Sequence, residues 1–131
     1  VFMLDVDHFK RVNDTYGHAA GDEVLRVTSQ RVRTAIRTED FFARFGGEEF
    51  CLLARGIDQH QAFLFAERLR KLIREQPVPW GPQPIWVTTS IGYDWIDRDR
   101  RCPDVAALLA GADAALYEAK RSGRNRVHPR V

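Results

Sequence analysis

The segment FFARFGGEEFCLL, residues 41–53, decides the fold, because it places two apolar runs on either side of a glycine pair. Gly46 and Gly47 can adopt the positive φ that both central positions of a tight primed turn require. A glycine pair between two such runs is a strong hairpin signal. We therefore predict a β-hairpin with strands at residues 41–45 and 50–53.

Three further segments have the composition of strands. Residues 1–6 form a short, mostly apolar run with Asp5 near its end, which is typical of a buried strand that emerges at a sheet edge. Residues 85–95 are rich in β-branched and aromatic residues, so we predict one long strand there. A last short strand is predicted at residues 126–128, and the proline-rich residues 77–82 predict a surface loop.

Four segments have the spacing of amphipathic helices: residues 9–16, residues 21–36, residues 58–75 and residues 104–120. Gly17 lies in the C-cap position of the first, and Gly21 and Asp22 open the second. Asp58 is a suitable N-cap for the third. The element order is strand, two helices, hairpin, helix, strand, helix, strand.

This order predicts an α+β fold in which helices pack on a mainly antiparallel sheet, as in the ferredoxin-like or palm-type layout. The palm comparison is an analogy, and a fold by itself does not determine a function. The sequence contains no internal repeat, low-complexity segment or long linker, so we predict one domain over residues 1–131.

Composition narrows the class of protein. A hydrophobic fraction of 44% and a charged fraction of 29% are typical of globular proteins, and a net charge of +2 makes a nucleic-acid partner unexpected. No apolar stretch approaches the length of a membrane span. Cys51 and Cys102 have no metal-ligand spacing, and so few cysteines favour a reducing, cytoplasmic setting.

Three carboxylates stand where catalysis would need them. Asp5 leaves the first strand, while Glu48 and Glu49 follow the glycine turn, so all three converge if that strand lies beside the hairpin. Mg²⁺ prefers such oxygen ligands. The alternative is that the two glutamates are solvated turn charges. Strand alternation sends Glu48 and Glu49 to opposite faces unless the turn twists the first strand residue, and spacing leaves this open.

Five linked motifs, in order along nearly the whole chain, resemble one family. They are DVDHFK at residues 5–10, NDTYGHAAGD at 13–22, RFGGEEF at 44–50, SIG at 90–92, and ADAALYEAKRSGRN at 112–125. On these residues the chain is identified as a member of the GGDEF family in its Glu-containing form. Members are diguanylate cyclases, which condense two GTP into cyclic di-GMP and two pyrophosphates.

The resemblance implies a catalytic centre. Asp5 and Glu48, with the backbone carbonyl of Val6, would hold two Mg²⁺ ions, for which Mn²⁺ can substitute. Glu49 would assist deprotonation of the attacking 3′-hydroxyl or add a metal contact. The reaction would be in-line attack of a 3′-oxygen on an α-phosphorus.

The resemblance also implies GTP-binding residues: Phe9, Lys10, Asn13, Asp22, Gly46, Gly47, Lys120 and Arg124. The three cations would bind the β- and γ-phosphates, although each alone is more often a solvated charge. Asn13 and Asp22 would recognise guanine, whose N1–H and N2 amino group adenine lacks. The alternative for this pair is helix capping.

A second nucleotide site is implied by Arg37 and Asp40, which match the family's R-x-x-D inhibitory motif for cyclic di-GMP. Arginine can bind guanine or phosphate with two hydrogen bonds. Arg68 would be an accessory contact. The alternative is an arginine placed favourably near a helix C-terminus.

Since one such domain holds one GTP, we expect a homodimer. Family members carry a helix and a D-x-L-T-G-L-x-N-R turn before the first strand. We expect this chain to be N-terminally truncated relative to them, with a sensory or regulatory domain in the full-length protein, which a membrane could anchor. Two other functions remain open: a non-catalytic module that binds cyclic di-GMP or GTP, and another palm-type nucleotidyl cyclase or polymerase. Retention of both glycines and both glutamates favours the cyclase.

Overall fold

Five strands form one sheet in the computed structural model, which describes residues 1–131. The strands are β1 (Phe2–Val6), β2 (Phe41–Gly46), β3 (Glu49–Leu53), β4 (Thr89–Tyr93) and β5 (Val127–Pro129). Their spatial order is β2-β3-β1-β4-β5, and only β4 and β5 run parallel. The predicted α+β fold with a mainly antiparallel sheet is confirmed.

Four helices pack on this sheet: α1 (Phe9–Tyr16), α2 (His18–Ala35), α3 (Gln59–Arg74) and α4 (Val105–Arg121). None of them has the length and apolar character needed to cross a membrane. The number and order of helices match the prediction, but α2 begins three residues earlier than expected. Gly17, at φ 93°, ends α1 and serves as the N-cap of α2 without an intervening loop. Asp58 caps α3 as predicted, in a reciprocal capping box with Gln61.

The predicted strand at residues 85–95 is too long. Regular pairing covers only β4, because its neighbour β1 ends at Val6, which lies opposite Thr89. Before that point Ile85 pairs instead with Val78 in an isolated two-residue bridge. Apolar, β-branched composition predicted the burial of this segment correctly, but the length of the strand is set by its partner.

The sheet is covered on both faces. A core of 21 buried residues lies between the sheet and helices α2 and α3, and it includes Phe2, Leu4 and Val6 of β1. Met3 points the other way and packs on α4. Strand alternation therefore places Asp5 on the α4 face as well.

The hairpin turn lies one residue later than predicted. Gly46 pairs with Glu49, so the turn residues are Gly47 and Glu48, and only Gly47 has a positive φ, at 49°. The expectation that both glycines adopt positive φ is therefore wrong. A register shift between Arg44 and Gly46 accommodates the difference.

Candidate active site

The acidic residues predicted to converge do so at one end of the sheet. Asp5 lies opposite Glu49 in the antiparallel register of β1 and β3. The carbonyl of Glu48 accepts a hydrogen bond of 3.3 Å from the backbone N–H of Val6. Because Glu48 lies in the turn and not in the strand, the alternation that would separate the two glutamates does not apply.

A lysine from α4 completes this group. Lys120 Nζ donates a hydrogen bond of 2.7 Å to Oδ2 of Asp5, whose residue is only 4% exposed. Burial raises the pKa of Asp5 to about 6; Lys120 opposes that rise, and the charges of Glu48 and Glu49 add to it. We call these four residues the acidic edge. It carries three carboxylates against one bound ammonium group.

The donor atoms of the acidic edge fit Mg²⁺. Oδ1 of Asp5 accepts no hydrogen bond from the protein, so one oxygen of a buried carboxylate is left without a partner. No three His, Cys, Asp or Glu side chains come close enough to form a complete metal cage. Mg²⁺ does not require one, because it is usually held by one or two carboxylates together with phosphate oxygens and water.

The other two predicted phosphate ligands flank the same edge. Lys10 is exposed in the first turn of α1, which begins three residues after β1 ends, and it forms no ion pair. Arg124 is exposed in the turn between α4 and β5, where its φ is 62°. Together with Lys120, these residues give the edge cations from three separate segments.

Asp7 belongs to the DVDHFK motif, but no role for it follows from the sequence alone. The structure buries this residue, and its carboxylate accepts hydrogen bonds from Thr88 Oγ1 at 2.7 Å, Ser90 Oγ at 2.6 Å and the backbone N–H of Asn125 at 2.9 Å. The signal was available, since a period of two places Asp7 and Asp5 on the same side of an extended strand.

Phe9 and Asn13, two of the predicted nucleotide-binding residues, lie against α2 at Gly21. A Cβ added to Gly21 would stand 1.8 Å from Asn13 Oδ1 and 3.1 Å from Phe9 Cζ. Glycine is therefore required for the close approach of α1 and α2. The side chain of Asn13 forms no capping hydrogen bond, which excludes that alternative for it.

Asp22 follows directly and is exposed. It is the fifth residue of α2, so the capping alternative is excluded here too. Asp22 lines an open cleft of about 440 Å³ between α2 and the hairpin, together with Arg26 and Arg44. Asn13 is not part of the cleft lining; it approaches Gly21 from the α1 side.

The three residues of the predicted inhibitory site, Arg37, Asp40 and Arg68, line a single open pocket of about 430 Å³. We call them the arginine pocket. The backbone N–H and Nη2 of Arg37 donate to the carboxylate of Asp40 at 2.9 and 3.3 Å. Arg68 Nη2 donates 3.2 Å to the carbonyl of Ala35, the last residue of α2. The helix-terminus role considered for Arg37 is thus filled by Arg68.

Comparison with known proteins identifies the family of this chain. The family profile described as "Diguanylate cyclase, GGDEF domain" matches residues 1–126. The chain belongs to the GGDEF family.

Relatives of this GGDEF domain carry different names. Diguanylate cyclase A of Treponema denticola is 41% identical over 127 residues, which are 97% of this chain but 34% of that protein. The cyclic di-GMP phosphodiesterase NbdA of Pseudomonas aeruginosa is 39% identical over 126 residues, 95% of this chain and 16% of that protein. The chain thus spans about a third or less of the length of these two relatives.

Among solved structures, the GGDEF domain of DgcB from Caulobacter crescentus, in complex with c-di-GMP, superposes with a TM-score of 0.89 at 31% identity. The match covers 98% of this chain and 75% of that one. In this GGDEF domain, therefore, most of the predicted residues gather at the acidic edge with its flanking cations and at the arginine pocket. The predicted guanine-binding residues lie elsewhere, Asn13 beside Gly21 and Asp22 in the cleft next to the hairpin. The individual roles of all these residues remain predictions.

Proposed function

We propose that this GGDEF domain condenses two GTP molecules into cyclic di-GMP and two pyrophosphates. The observation that carries the proposal is the position of Asp5 opposite Glu49 in the pairing of β1 with β3. Glu48 lies next to this pair in the turn, and Lys120 donates a hydrogen bond to Asp5. A nucleotidyl transfer needs such an edge, where carboxylates and cations meet at the carboxyl end of a strand. Family membership and the name of the 41% identical relative support the same reaction.

Asp5, Glu48 and the carbonyl of Val6 would hold two Mg²⁺ ions, or Mn²⁺ in their place. When bound, these ions neutralise triphosphate charge and lower the pKa of the attacking 3′-hydroxyl. Glu49 lies directly opposite Asp5 and would accept the hydroxyl proton or orient the metal shell. The 3′-oxygen would attack the α-phosphorus in line. The bond between that phosphorus and the oxygen that bridges to the β-phosphate would break, and pyrophosphate would leave.

The cations of the edge act on the leaving group. Lys10, Lys120 and Arg124 would bind the β- and γ-phosphates and stabilise the charge that builds on pyrophosphate. Lys120 donates one of its three N–H groups to Asp5, so it would be shared between that carboxylate and a phosphate oxygen of GTP. Lys10 and Arg124 have no ion-pair partner to give up.

Guanine selection is assigned to Asn13 and Asp22. A carboxylate accepts hydrogen bonds from the N1–H and N2 amino groups of guanine, and adenine would leave it unpaired. Phe9 packs with Asn13 over Gly21 and would fix its orientation. Gly46, next to the turn residue Gly47, has no side chain to obstruct the nucleotide.

The working enzyme would be a homodimer. One domain offers one GTP, so two domains must face each other with twofold symmetry for each 3′-hydroxyl to reach the other α-phosphorus. The symmetry of the product matches that arrangement. In the full-length protein, an N-terminal sensory or regulatory domain would control this encounter.

Product inhibition is assigned to the arginine pocket. Its two guanidinium groups suit phosphates and guanine, its single carboxylate suits the guanine edge, and the apolar side chains of Ile57, Leu64 and Phe65 provide a surface for the base. The c-di-GMP complex of the related DgcB domain supports a nucleotide-binding role for this fold.

A second candidate is a regulatory module that binds cyclic di-GMP or GTP without turnover. It is favoured by one observation: a relative of similar identity is named as a cyclic di-GMP phosphodiesterase, so this kind of domain also occurs in a protein named for another activity. Such a module would bind GTP and release no pyrophosphate.

The deciding experiment incubates the domain, joined to a dimerising coiled coil, with GTP and Mg²⁺ and measures cyclic di-GMP and pyrophosphate. We expect both products from GTP and neither from ATP, with Glu48→Ala as the inactive control. Absence of product from the dimerised protein would overturn the cyclase and favour the binding module.

We expect the domain to act in the reducing cytoplasm, where its two unpaired cysteines remain thiols.

A further inference from the structure

The geometry points to Asp7 as a positioning residue: its buried carboxylate fixes the turn that presents Arg124 to the triphosphate of GTP. This inference rests on the proposed function, which assigns Arg124 to the phosphates. It adds a residue that touches no substrate and acts only through the backbone of a neighbouring segment.

The turn at Arg124 is conformationally unfavourable by itself. Arg124 and Asn125 both have left-handed backbones, with φ of 62° and 45°. L-residues other than glycine rarely adopt this region, and two in succession require compensating contacts. The side chain of Arg124 is exposed, so those contacts must hold the backbone.

At Arg124 the backbone N–H donates to the carbonyl of Ala119 at 3.0 Å, and the backbone carbonyl accepts from Arg126 Nε at 3.2 Å. Two further side chains hold Asn125. Oδ2 of Asp7 accepts the backbone N–H of Asn125 at 2.9 Å, a charge-assisted hydrogen bond. Arg70 of α3 donates to Oδ1 of Asn125 at 2.8 Å. The bond from Asp7 is the one that ties the turn to the end of β1, one residue beyond Val6, and so to the acidic edge.

The remaining contacts of Asp7 aim its carboxylate. Thr88 and Ser90 donate their hydroxyl groups to it, and neither is charged. Asp7 is 5% exposed and forms no ion pair. Three hydrogen-bond donors therefore fix this buried carboxylate in one orientation, which suits it to hold the backbone of Asn125.

The test is a double-mutant cycle on the binding of inorganic triphosphate in the presence of Mg²⁺, measured by calorimetry. We expect Asp7→Asn and Arg124→Ala each to weaken binding roughly tenfold. In the Arg124→Ala background, Asp7→Asn should add less than about twofold, because its effect passes through Arg124. Amide hydrogen exchange at Asn125 should accelerate in Asp7→Asn, since that N–H loses its charged acceptor.

Asp94→Asn is the matched control. Asp94 is equally buried but lies at the other end of β4, where it pairs with Arg100 and Arg130. Its substitution should lower thermal stability and leave triphosphate affinity unchanged. If Asp94→Asn weakened triphosphate binding as much as Asp7→Asn does, the effect would be general destabilisation and the inference would be wrong.

The outcomes separate this inference from the proposed function. Additive losses in the cycle, or unchanged exchange at Asn125, overturn the role of Asp7 alone. If Arg124→Ala does not weaken binding, the phosphate role of Arg124 fails and the inference fails with it. Should Asp7→Asn not fold, Ser90→Ala removes one donor and is expected to give a smaller loss with the same dependence on Arg124; additivity there overturns the inference equally.

Discussion

The acidic edge and the arginine pocket lie at opposite ends of β3, which begins at Glu49 and ends at Leu53. At the first end three carboxylates share one bound lysine, and their mutual repulsion helps to raise the pKa of Asp5 to about 6. At the second end two arginines and one aspartate line the pocket; Asp40 binds Arg37, while Arg68 donates to the carbonyl of Ala35. The residues of the edge therefore carry an excess of negative charge, and the charged residues that line the pocket carry an excess of positive charge, although Glu39, which does not line it, pairs with Arg37 at 3.4 Å.

This difference in charge separates two tasks that use similar ligands. GTP and cyclic di-GMP both carry guanine and phosphates, so recognition of these groups alone would not keep the two ligands apart. A negative edge binds a triphosphate only together with cations, which are also what the transfer reaction needs. A positive pocket binds phosphates directly and offers no group to transfer them. The comparison therefore predicts that either end can be disabled without the other.

The largest expected effect is the loss of cyclic di-GMP synthesis in Glu48→Ala. Loss of a carboxylate from the acidic edge is expected to lower cyclic di-GMP synthesis by roughly a thousandfold. Binding of cyclic di-GMP to the arginine pocket, measured by calorimetry, should be unchanged. Glu75→Ala, which removes an exposed glutamate at the end of α3, is the control and should leave synthesis intact. Parallel loss of both functions in Glu48→Ala would show that the two ends are not independent.

Arg37→Ala disables the arginine pocket and leaves the acidic edge intact. It removes the residue that the pocket already orients, so cyclic di-GMP should bind roughly 10- to 100-fold more weakly and inhibit accordingly less. Turnover of GTP at low product concentration should persist. Arg98→Ala, at an exposed arginine outside the pocket, should leave inhibition as it is. An unchanged inhibition curve for Arg37→Ala would contradict the role of the pocket.

The elements of the fold were predictable because each has a local cause. Helical periodicity and caps such as Asp58 located all four helices, and the glycine pair located the hairpin. What failed depended on neighbours. The length of β4 follows from where β1 ends, and the position of the turn follows from the register shift after Arg44.

The candidate site was predictable in membership and not in arrangement. Motifs named Asp5 and Lys120, but nothing in the sequence indicates that these residues, 115 positions apart, form a hydrogen bond. Asp7 was overlooked because its three partners come from residues 88–125 and become neighbours only in the folded sheet.

Lys120→Met probes the balance of charge at the acidic edge. Without the competing ammonium group, Asp5 should bind Mn²⁺ in the absence of nucleotide about threefold to tenfold more tightly. Affinity for triphosphate should fall, because the same lysine is its proposed partner. Electron paramagnetic resonance of free Mn²⁺ measures the first effect and calorimetry the second. Lys71→Met, at an exposed residue of α3, should change neither. Equal Mn²⁺ affinity in the variant would mean that Lys120 does not compete with the metal ion for the carboxylate of Asp5.

The smallest expected effect is the change in unfolding free energy caused by Asp5→Asn, and its sign distinguishes a catalytic edge from a structural ion pair. The pKa of Asp5 is raised from 3.8 to about 6, so its contribution to stability is greatest below pH 4 and is lost as the pH rises through 6. Asparagine does not ionise. Without divalent cations, the variant should therefore be more stable than the natural protein at pH 8, by about 1 kcal/mol after allowance for solvent screening.

The difference in unfolding free energy between the natural protein and Asp5→Asn, measured by urea denaturation, should disappear near pH 4, where the aspartate is protonated. Adding Mg²⁺ at pH 8 should stabilise the natural protein and not the variant. Asp113→Asn, at an exposed aspartate of α4, should show no such pH dependence. If Asp5→Asn were instead less stable at pH 8 than at pH 4, relative to the natural protein, the bond to Lys120 would outweigh burial. Asp5 and Lys120 would then form a structural ion pair, as Arg37 and Asp40 do, and Asp5 would carry no uncompensated charge for a ligand to balance.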